Sequence, residues 1–321
     1  MTYKIVDELK TEEKAMRDVY ASTLAELARE DQNVVSLDAD LMNSVGLVPL
    51  AKEFPDRVID CGIQEANMFG TAAGMSAVGM VPFIHTFACF ASRRIADQIF
   101  VSGAFARANV RIIGSDPGVT AAFNGATHMP FEDIGILRGI PQVTVIEPTD
   151  AVMLEDMVRQ TKARKGIFYI RMSRKNAMQV YQQGSTFEIG KVAKVKEGSD
   201  VTLFASGICV SESMVAAEKL AEEGISAEVI NVFTIKPIDV AGIVESVSKT
   251  GAAVTAENHN IINGLGSAVS EVLAENKPVP LERVGVKDRF GEVGSVDYLK
   301  KTMGLTADDI VTAAKKAIAR K

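Results

Sequence analysis

The residues best suited to chemistry lie in DCGIQEANMFGTAAGMSAVGMVPFIHTFACF, residues 60–90. Glu65 opens a helix made largely of small residues, just after an expected strand end. A carboxylate in a first helical turn caps backbone amides, and on spacing alone that is the reading these residues support. The helix itself, GTAAGMSAVG, has so few bulky side chains that another backbone must come close to it, through tight sheet packing or at a subunit interface. Phe87 and Phe90 stand three apart where a strand runs into the next helix, so both rings can turn toward one cavity. Phenylalanines in an apolar strand are ordinarily core, and by themselves these two say little. His128 sits in a loop of Gly, Ala and Asn, a setting in which a histidine serves chemistry more often than packing.

These side chains need elements to position them. Short β-branched runs alternate with segments of helical period, the pattern of a parallel sheet covered on both faces by helices. Strands are expected at 34–39, 81–87, 110–116, 143–148 and 166–172, with helices at 12–29, 65–79, 91–106 and 150–163. Asp150 or Thr149 is placed to cap the last of these helices. The N-terminal residues read as a short tail leading into the first helix. After Arg174 the periodicity pauses, which puts a domain boundary near residue 185. Beyond it the alternation resumes, with strands at 201–207, 227–233, 252–258 and 282–286 and helices at 210–224, 238–249, 266–276 and 306–320. The fold class is therefore α/β in two domains, 1–185 and 186–321, each a mainly parallel sheet covered by helices. Ligands of such sheets bind beyond the carboxyl ends of the strands.

Composition narrows the partners. A formal net charge of -6 with dispersed Lys and Arg gives no basic stripe for nucleic acid. Cys61, Cys89 and Cys209 lie in separate apolar stretches without C-x-x-C spacing, which suits reduced thiols in the cytoplasm and offers no zinc framework. No apolar run is long enough to span a bilayer, and the N-terminus has no signal core. In the second half NGLGSAV (263–269) has a G-x-G opening a helix, but no further glycine or ribose-binding acid completes a dinucleotide fingerprint, so close helix packing explains it. Glu257 and His259 end a strand nearby and are given no catalytic role; the second domain is expected to be structural and to add to a dimer interface.

GIQEANM followed by HTFACF resembles the pyrimidine-binding region of the transketolase family, including its deoxyxylulose phosphate synthase relatives. Other segments fall in family order: SLDADL (36–41), NGATHMPFEDIGILRGIPQVTVIEPTD (124–150), RMSRKN (171–176), VFTIKPID (233–239) and AENHNIINGLGSAV (256–269). The resemblance runs from about Arg17 onward and implies a thiamine diphosphate pyrimidine-binding fold followed by a transketolase C-terminal-like fold. It implies a C-terminal subunit of a split transketolase. The diphosphate-binding domain and the ligands of its Mg2+ or Ca2+ are expected on an N-terminal partner subunit, with self-association into an α2β2 assembly.

The same resemblance assigns roles. Glu65 would hydrogen-bond the cofactor's aminopyrimidine as a protonated carboxyl, a state that burial among Phe69, Phe87 and Phe90 would favour. Phe90 would stack on that ring, with Phe87 lining the pocket. Asp40 would lie near the thiazolium, although an aspartate there also suits an Asx turn. His128 would face the substrate carbonyl and stabilise oxyanion charge or shuttle a proton. Arg174, with Arg17 and Ser44, would hold a sugar phosphate, since a guanidinium fork bonds two oxygens together. Two departures bear on the substrate: Asn124 replaces the family's aspartate before G-x-T-H, and Ser115 stands where a donor-contacting histidine is usual. The implied activity is transfer of a two-carbon ketol unit between sugar phosphates. The alternatives are a deoxyxylulose phosphate synthase-like or 2-oxoacid dehydrogenase β-type subunit, both of which share the glutamate, and a catalytically silent regulatory partner. Glu65, Phe90 and His128 together argue against a silent chain.

Overall fold

Strands rich in Val, Ile and Leu bury both faces when helices cover a parallel sheet, and the computed structural model, which describes residues 1–321, is organised around such strands. In the first half they are β1 (Ile5–Thr11), β2 (Val34–Asp38), β3 (Val58–Asp60), β4 (Val81–Phe87), β5 (Val110–Ser115), β6 (Val143–Ile146), β7 (Ile167–Met172) and β8 (Met178–Tyr181). In the second half they are β9 (Ala193–Lys196), β10 (Val201–Ala205), β11 (Ala227–Asn231), β12 (Thr234–Lys236), β13 (Ala253–Asn260) and β14 (Leu281–Val286). Every residue of β2, β5, β7, β10 and β11 is buried.

The larger sheet has the order β12-β6-β7-β5-β4-β2-β3 and the smaller β14-β13-β10-β11-β9. All neighbours are parallel except β12 against β6 and β9 against β11, both of which lie at sheet edges. The architecture is α/β with mainly parallel sheets, as the alternating pattern implies. Asp150 is the residue that caps the helix Ala151–Ala163: its Oδ1 accepts from Met153 N at 2.9 Å, while its Oδ2 accepts from the amides of Val180 and Tyr181.

Three features depart from the sequence reading. The N-terminal tail is a strand, β1, that pairs antiparallel with β8, and the first helix starts later, at Met16. The expected single helix over 91–106 is broken into short turns and ends in a π-helical segment, Ile99–Phe105. There Gly103 passes so close to Phe69 that a Cβ would lie 2.8 Å from the ring. Finally β12 comes from the second half but completes the first sheet. The two halves also share apolar packing: Ile146, Met153 and Phe168 belong to one buried cluster with Phe187, Leu203 and Val229.

Candidate active site

Parallel pairing aligns the strand ends that matter. Asp38 of β2 lies opposite His85 of β4, Phe87 opposite Ser115 of β5, and Ser115 opposite Met172 of β7. The residues that follow these ends, Asp40, Phe90, Asp116 and Arg174, therefore emerge along one carboxyl edge. Arg17 joins them because Met16 N donates to Lys175 O at 3.1 Å, which ties the first helix to the segment after β7.

Glu65 is the first residue of the helix Glu65–Ala77 and only 2% of its side chain is exposed. Its surroundings are not the apolar ones expected. Arg94 Nη1 donates to Oε1 at 2.7 Å and to Oε2 at 2.8 Å, and Thr86 Oγ1 donates to Oε1 at 3.3 Å. Both carboxylate oxygens thus act as acceptors. The same guanidinium lies 3.9 Å above the centre of the Phe90 ring.

From Phe90 the site continues as a contiguous aromatic face. The His128 ring meets Phe90 edge-on at 5.3 Å and Phe87 at 5.7 Å, and the two phenyl rings are 6.3 Å apart. Thr127 Oγ1 bonds His128 Nδ1 at 2.9 Å, which leaves Nε2 without an intrachain partner. Beyond Phe87 the Arg174 guanidinium lies 4.8 Å from the ring centre and donates through Nε to Asp116. Burial pushes the Asp116 carboxyl above its usual range against the pull of Arg174.

Other expected residues fall differently. Arg17 Nη1 donates to Ser44 O at 3.2 Å, so these two are brought together at the same edge. Asp40 is exposed, with a positive φ of 61°, and its amide donates to Asp60. The Asx-type acceptor in that turn is Asp38, which takes the Leu41 amide, so Asp40 keeps its own carboxylate free of intrachain bonds. Asn124 is exposed in the loop before His128. Ser115 does not line the pocket: it is fully buried, and its hydroxyl is 3.0 Å from His85 Nε2, whose Nδ1 bonds Asp38 at 2.6 Å. Asp116, one position on at φ 54°, is also buried, and its carboxylate holds the backbone amide and Nε of Arg174.

The second half reaches this edge through β13. Asn258 is buried; its Oδ1 accepts from Val119 N and its Nδ2 donates to Pro117 O, both at 2.9 Å. Those groups flank Gly118, at φ +52°, where a Cβ would come within 2.2 Å of Asn258 Oδ1. The clamp thus fixes the start of the loop that carries Asn124 and His128. Behind it Arg171 bonds Asp133, Glu147 and the Asn258 carbonyl, and Ser206 donates to Glu147. Glu257 and His259 flank this network. Burial raises the Glu257 carboxyl to about 7 despite amide bonds from Leu265 and Gly266, and burial lowers His259 to about 4. Both are structural in their contacts, whereas Asn258 between them touches the loop. Arg94, Asp116, His85 and Asn258 are the residues that sequence reasoning missed.

The slot takes a flat group over the Phe90 ring with its edge in hydrogen-bond reach of the Glu65 carboxyl, and an aminopyrimidine ring has that shape and a ring nitrogen able to share a proton with a carboxyl. The residues fit the pyrimidine half of thiamine diphosphate. No group of three or more His, Cys, Asp or Glu side chains is arranged to hold a metal ion, and no helix is long and apolar enough to cross a membrane.

Two α/β units thus place a buried glutamate beside an aromatic face at one carboxyl edge. Family comparison gives the class directly: residues 12–179 match the transketolase pyrimidine-binding domain and residues 190–310 the transketolase C-terminal domain. The chain belongs to the transketolase family. It is 50% identical, over 98% of both chains, to the 6-deoxy-6-sulfo-D-fructose transketolase subunit SqwH of Clostridium sp. (strain MSTE9). It is 42% identical to a putative transketolase C-terminal section of Methanocaldococcus jannaschii, covering 92% of this chain and 94% of that one. Among solved structures it is similar to a split-gene transketolase described as an inactive β4 tetramer, with a TM-score of 0.90 and 42% identity over 96% of this chain and 99% of that chain.

Proposed function

We propose that this chain supplies the pyrimidine-side half of a thiamine diphosphate site and, with an N-terminal partner subunit, transfers a two-carbon ketol unit from a ketose whose far end carries an anion. The observation that carries the reading is Glu65, buried at a helix start and opening onto the Phe90, His128 and Phe87 face. Thiamine diphosphate, when bound, supplies carbanion stabilisation at the substrate carbonyl. Glu65 holds a proton at the aminopyrimidine ring, and Phe87 and Phe90 orient that ring and exclude water. His128 Nε2 is free to bond the reacting oxygen. The Nη atoms of Arg174 have no intrachain partner and can fork onto a terminal sulfonate or phosphate. Arg17 and Ser44 add to that anion site, Asn124 contacts the sugar hydroxyls, and Asp40 borders the thiazolium.

The relative named for 6-deoxy-6-sulfo-D-fructose supports a sulfonated donor, and an apulose-4-phosphate transketolase subunit of Phocaeicola vulgatus, 34% identical, supports a phosphorylated one. Both chemistries present a tetrahedral anion to arginine.

A diphosphate-bound Mg2+ or Ca2+ would be held by the partner. Assembly is expected to be α2β2. On the helix Glu65–Ala77, Gly70 and Gly74 have nothing within 4 Å of a would-be Cβ, and Ile63 (70% exposed) and Phe123 (72%) stand out near the pocket, features of a surface that another chain covers. The solved relative's inactive β4 form supports self-association of this chain in a state without activity. We place the division between the two units near residue 185, and the free cysteines, two of them buried, suit a cytoplasmic location.

The test is ketol transfer with thiamine diphosphate and magnesium, using this chain alone and mixed with a diphosphate-binding partner subunit. Xylulose 5-phosphate and 6-deoxy-6-sulfo-D-fructose are offered as donors, ribose 5-phosphate as acceptor, and pyruvate as the donor for decarboxylating chemistry. Activity in the mixture alone, with either ketose, supports the proposal; turnover of pyruvate in its place would overturn the ketol-transfer assignment.

A further inference from the structure

Arg94 makes the two contacts that the proposed function reserves for the cofactor ring. Its guanidinium is flat, lies 3.9 Å over the Phe90 ring centre, and gives both Glu65 oxygens a hydrogen bond, at 2.7 and 2.8 Å. With Arg94 Nη1 held between the two oxygens, the edge of the carboxyl that would face a ring nitrogen is already occupied. Nor can a second planar group occupy the face of Phe90 that the guanidinium covers.

Access makes the same point. Glu65 is 2% exposed, whereas the Arg94 side chain in front of it is 43% exposed. Arg94 follows the strand end by way of the broken turns over residues 88–98, so it hangs from short segments and not from a long rigid helix. Its neighbour Arg93 is anchored separately, to Glu132 at 3.1 Å and to Thr127 O at 3.2 Å, which leaves Arg94 the one cation on Glu65.

We infer that Arg94 is a placeholder for the aminopyrimidine, so that its pairing with Glu65 and the binding of thiamine diphosphate are mutually exclusive. This inference rests on the thiamine site proposed above and adds a positioning residue to it. Arg94 keeps the buried carboxylate partnered and the slot dry in one state, and swings toward solvent in the other. The observed affinity is then the intrinsic affinity reduced by the fraction of molecules in which Arg94 is out.

The experiment measures Kd for thiamine diphosphate by titration calorimetry, with magnesium, on the reconstituted two-subunit enzyme carrying wild-type Arg94, Arg94→Met, Arg94→Gln or Arg94→Ala. Removing the competitor should tighten binding about tenfold in Arg94→Met, the value for a slot open in about a tenth of molecules. Arg94→Gln, which can still give Glu65 one hydrogen bond, should fall between. In Arg94→Ala, guanidinium chloride at millimolar concentrations should weaken cofactor binding competitively and leave the wild type unaffected, a response that loss of a merely structural contact would not produce. Should Arg94→Met fail to assemble, Arg94→Gln decides.

Equal or weaker binding in the variants, while the wild type binds, would overturn the inference and make Arg94 a contact of the loaded enzyme. Absence of binding to the wild type and every variant would instead remove the thiamine site on which it stands.

Discussion

Asn258→Ala should damage the candidate site from the opposite half of the chain. The substitution removes an acceptor from Val119 N and a donor from Pro117 O, both at 2.9 Å, and both of those backbone groups are buried. A buried polar group stripped of its partner costs about 1–3 kcal/mol, so two together should lower the unfolding free energy by about 2–6 kcal/mol. Urea unfolding followed by far-ultraviolet circular dichroism gives that number, with an unchanged m value if the unfolded state is the same. Hydrogen exchange gives the local reading, since the Val119 amide should lose protection in the variant by more than global destabilisation accounts for. In the reconstituted enzyme kcat should fall while KM for the cofactor changes little, because Asn258 holds the loop before His128 and not the slot around Glu65. Asn258→Asp is the companion variant. It keeps the acceptor for Val119 but buries a carboxylate oxygen against the Pro117 carbonyl, and should be at least as destabilised as the alanine variant above about pH 7 and less so as pH falls. A variant within 0.5 kcal/mol of the parent (about the scatter of a neutral surface change), or one destabilised as expected but with full kcat, would refute the clamp.

Three further outcomes are expected. Glu65→Ala in the reconstituted enzyme should reduce turnover by on the order of 10²–10⁴-fold with assembly intact by size-exclusion chromatography, and wild-type activity would sink the assignment of that residue. Arg174→Met should raise KM for anion-bearing donors about 10- to 100-fold, in line with about 1.5–3 kcal/mol for a charged hydrogen bond, with a smaller effect on kcat; an unchanged KM would move the anion site elsewhere. Glu257, raised to about 7, favours the folded state below its ordinary value, and that contribution is lost as pH rises through 7, whereas His259, lowered to about 4, favours the folded state above its ordinary value and loses that contribution as pH falls through 4. The stability of Glu257→Gln relative to the parent should therefore rise by about 1 kcal/mol per pH unit between about 5 and 7, read from urea midpoints, and a difference independent of pH would contradict the assignment.

Much of the fold could be read from the sequence because buried parallel strands announce themselves as short β-branched runs. What escaped was short or antiparallel. β12 has three residues and ends beside Pro237, too little for any periodicity, and β1 has a mixed surface that resembles a tail. The site was legible through motifs more than through geometry. Glu65, Phe87, Phe90 and His128 stand out by family resemblance, yet nothing in FASRRIADQ separates Arg94 from an ordinary solvated arginine. Ser115 could be placed by its position in the family motif, but its contact with His85, which in turn bonds Asp38, joins three separate strands and has no signature along the chain. Asn258 could not be foreseen, since its partners lie 139 and 141 positions away in the chain.

The exchange of β12 between the halves bears on how the chain tolerates being cut. A boundary in the segment between β8 and β9 looks like a natural seam, and expression of either half would be the obvious shortcut. Severed there, the first half would lose the strand that closes β6 and would expose a row of unpaired backbone groups, a template for adhesion between copies. The second half would keep a strand with nothing to pair against. Proteolysis at that seam should therefore yield fragments that stay together until denatured, and the first half expressed alone should aggregate unless β12 is supplied to it, by fusion or as a peptide.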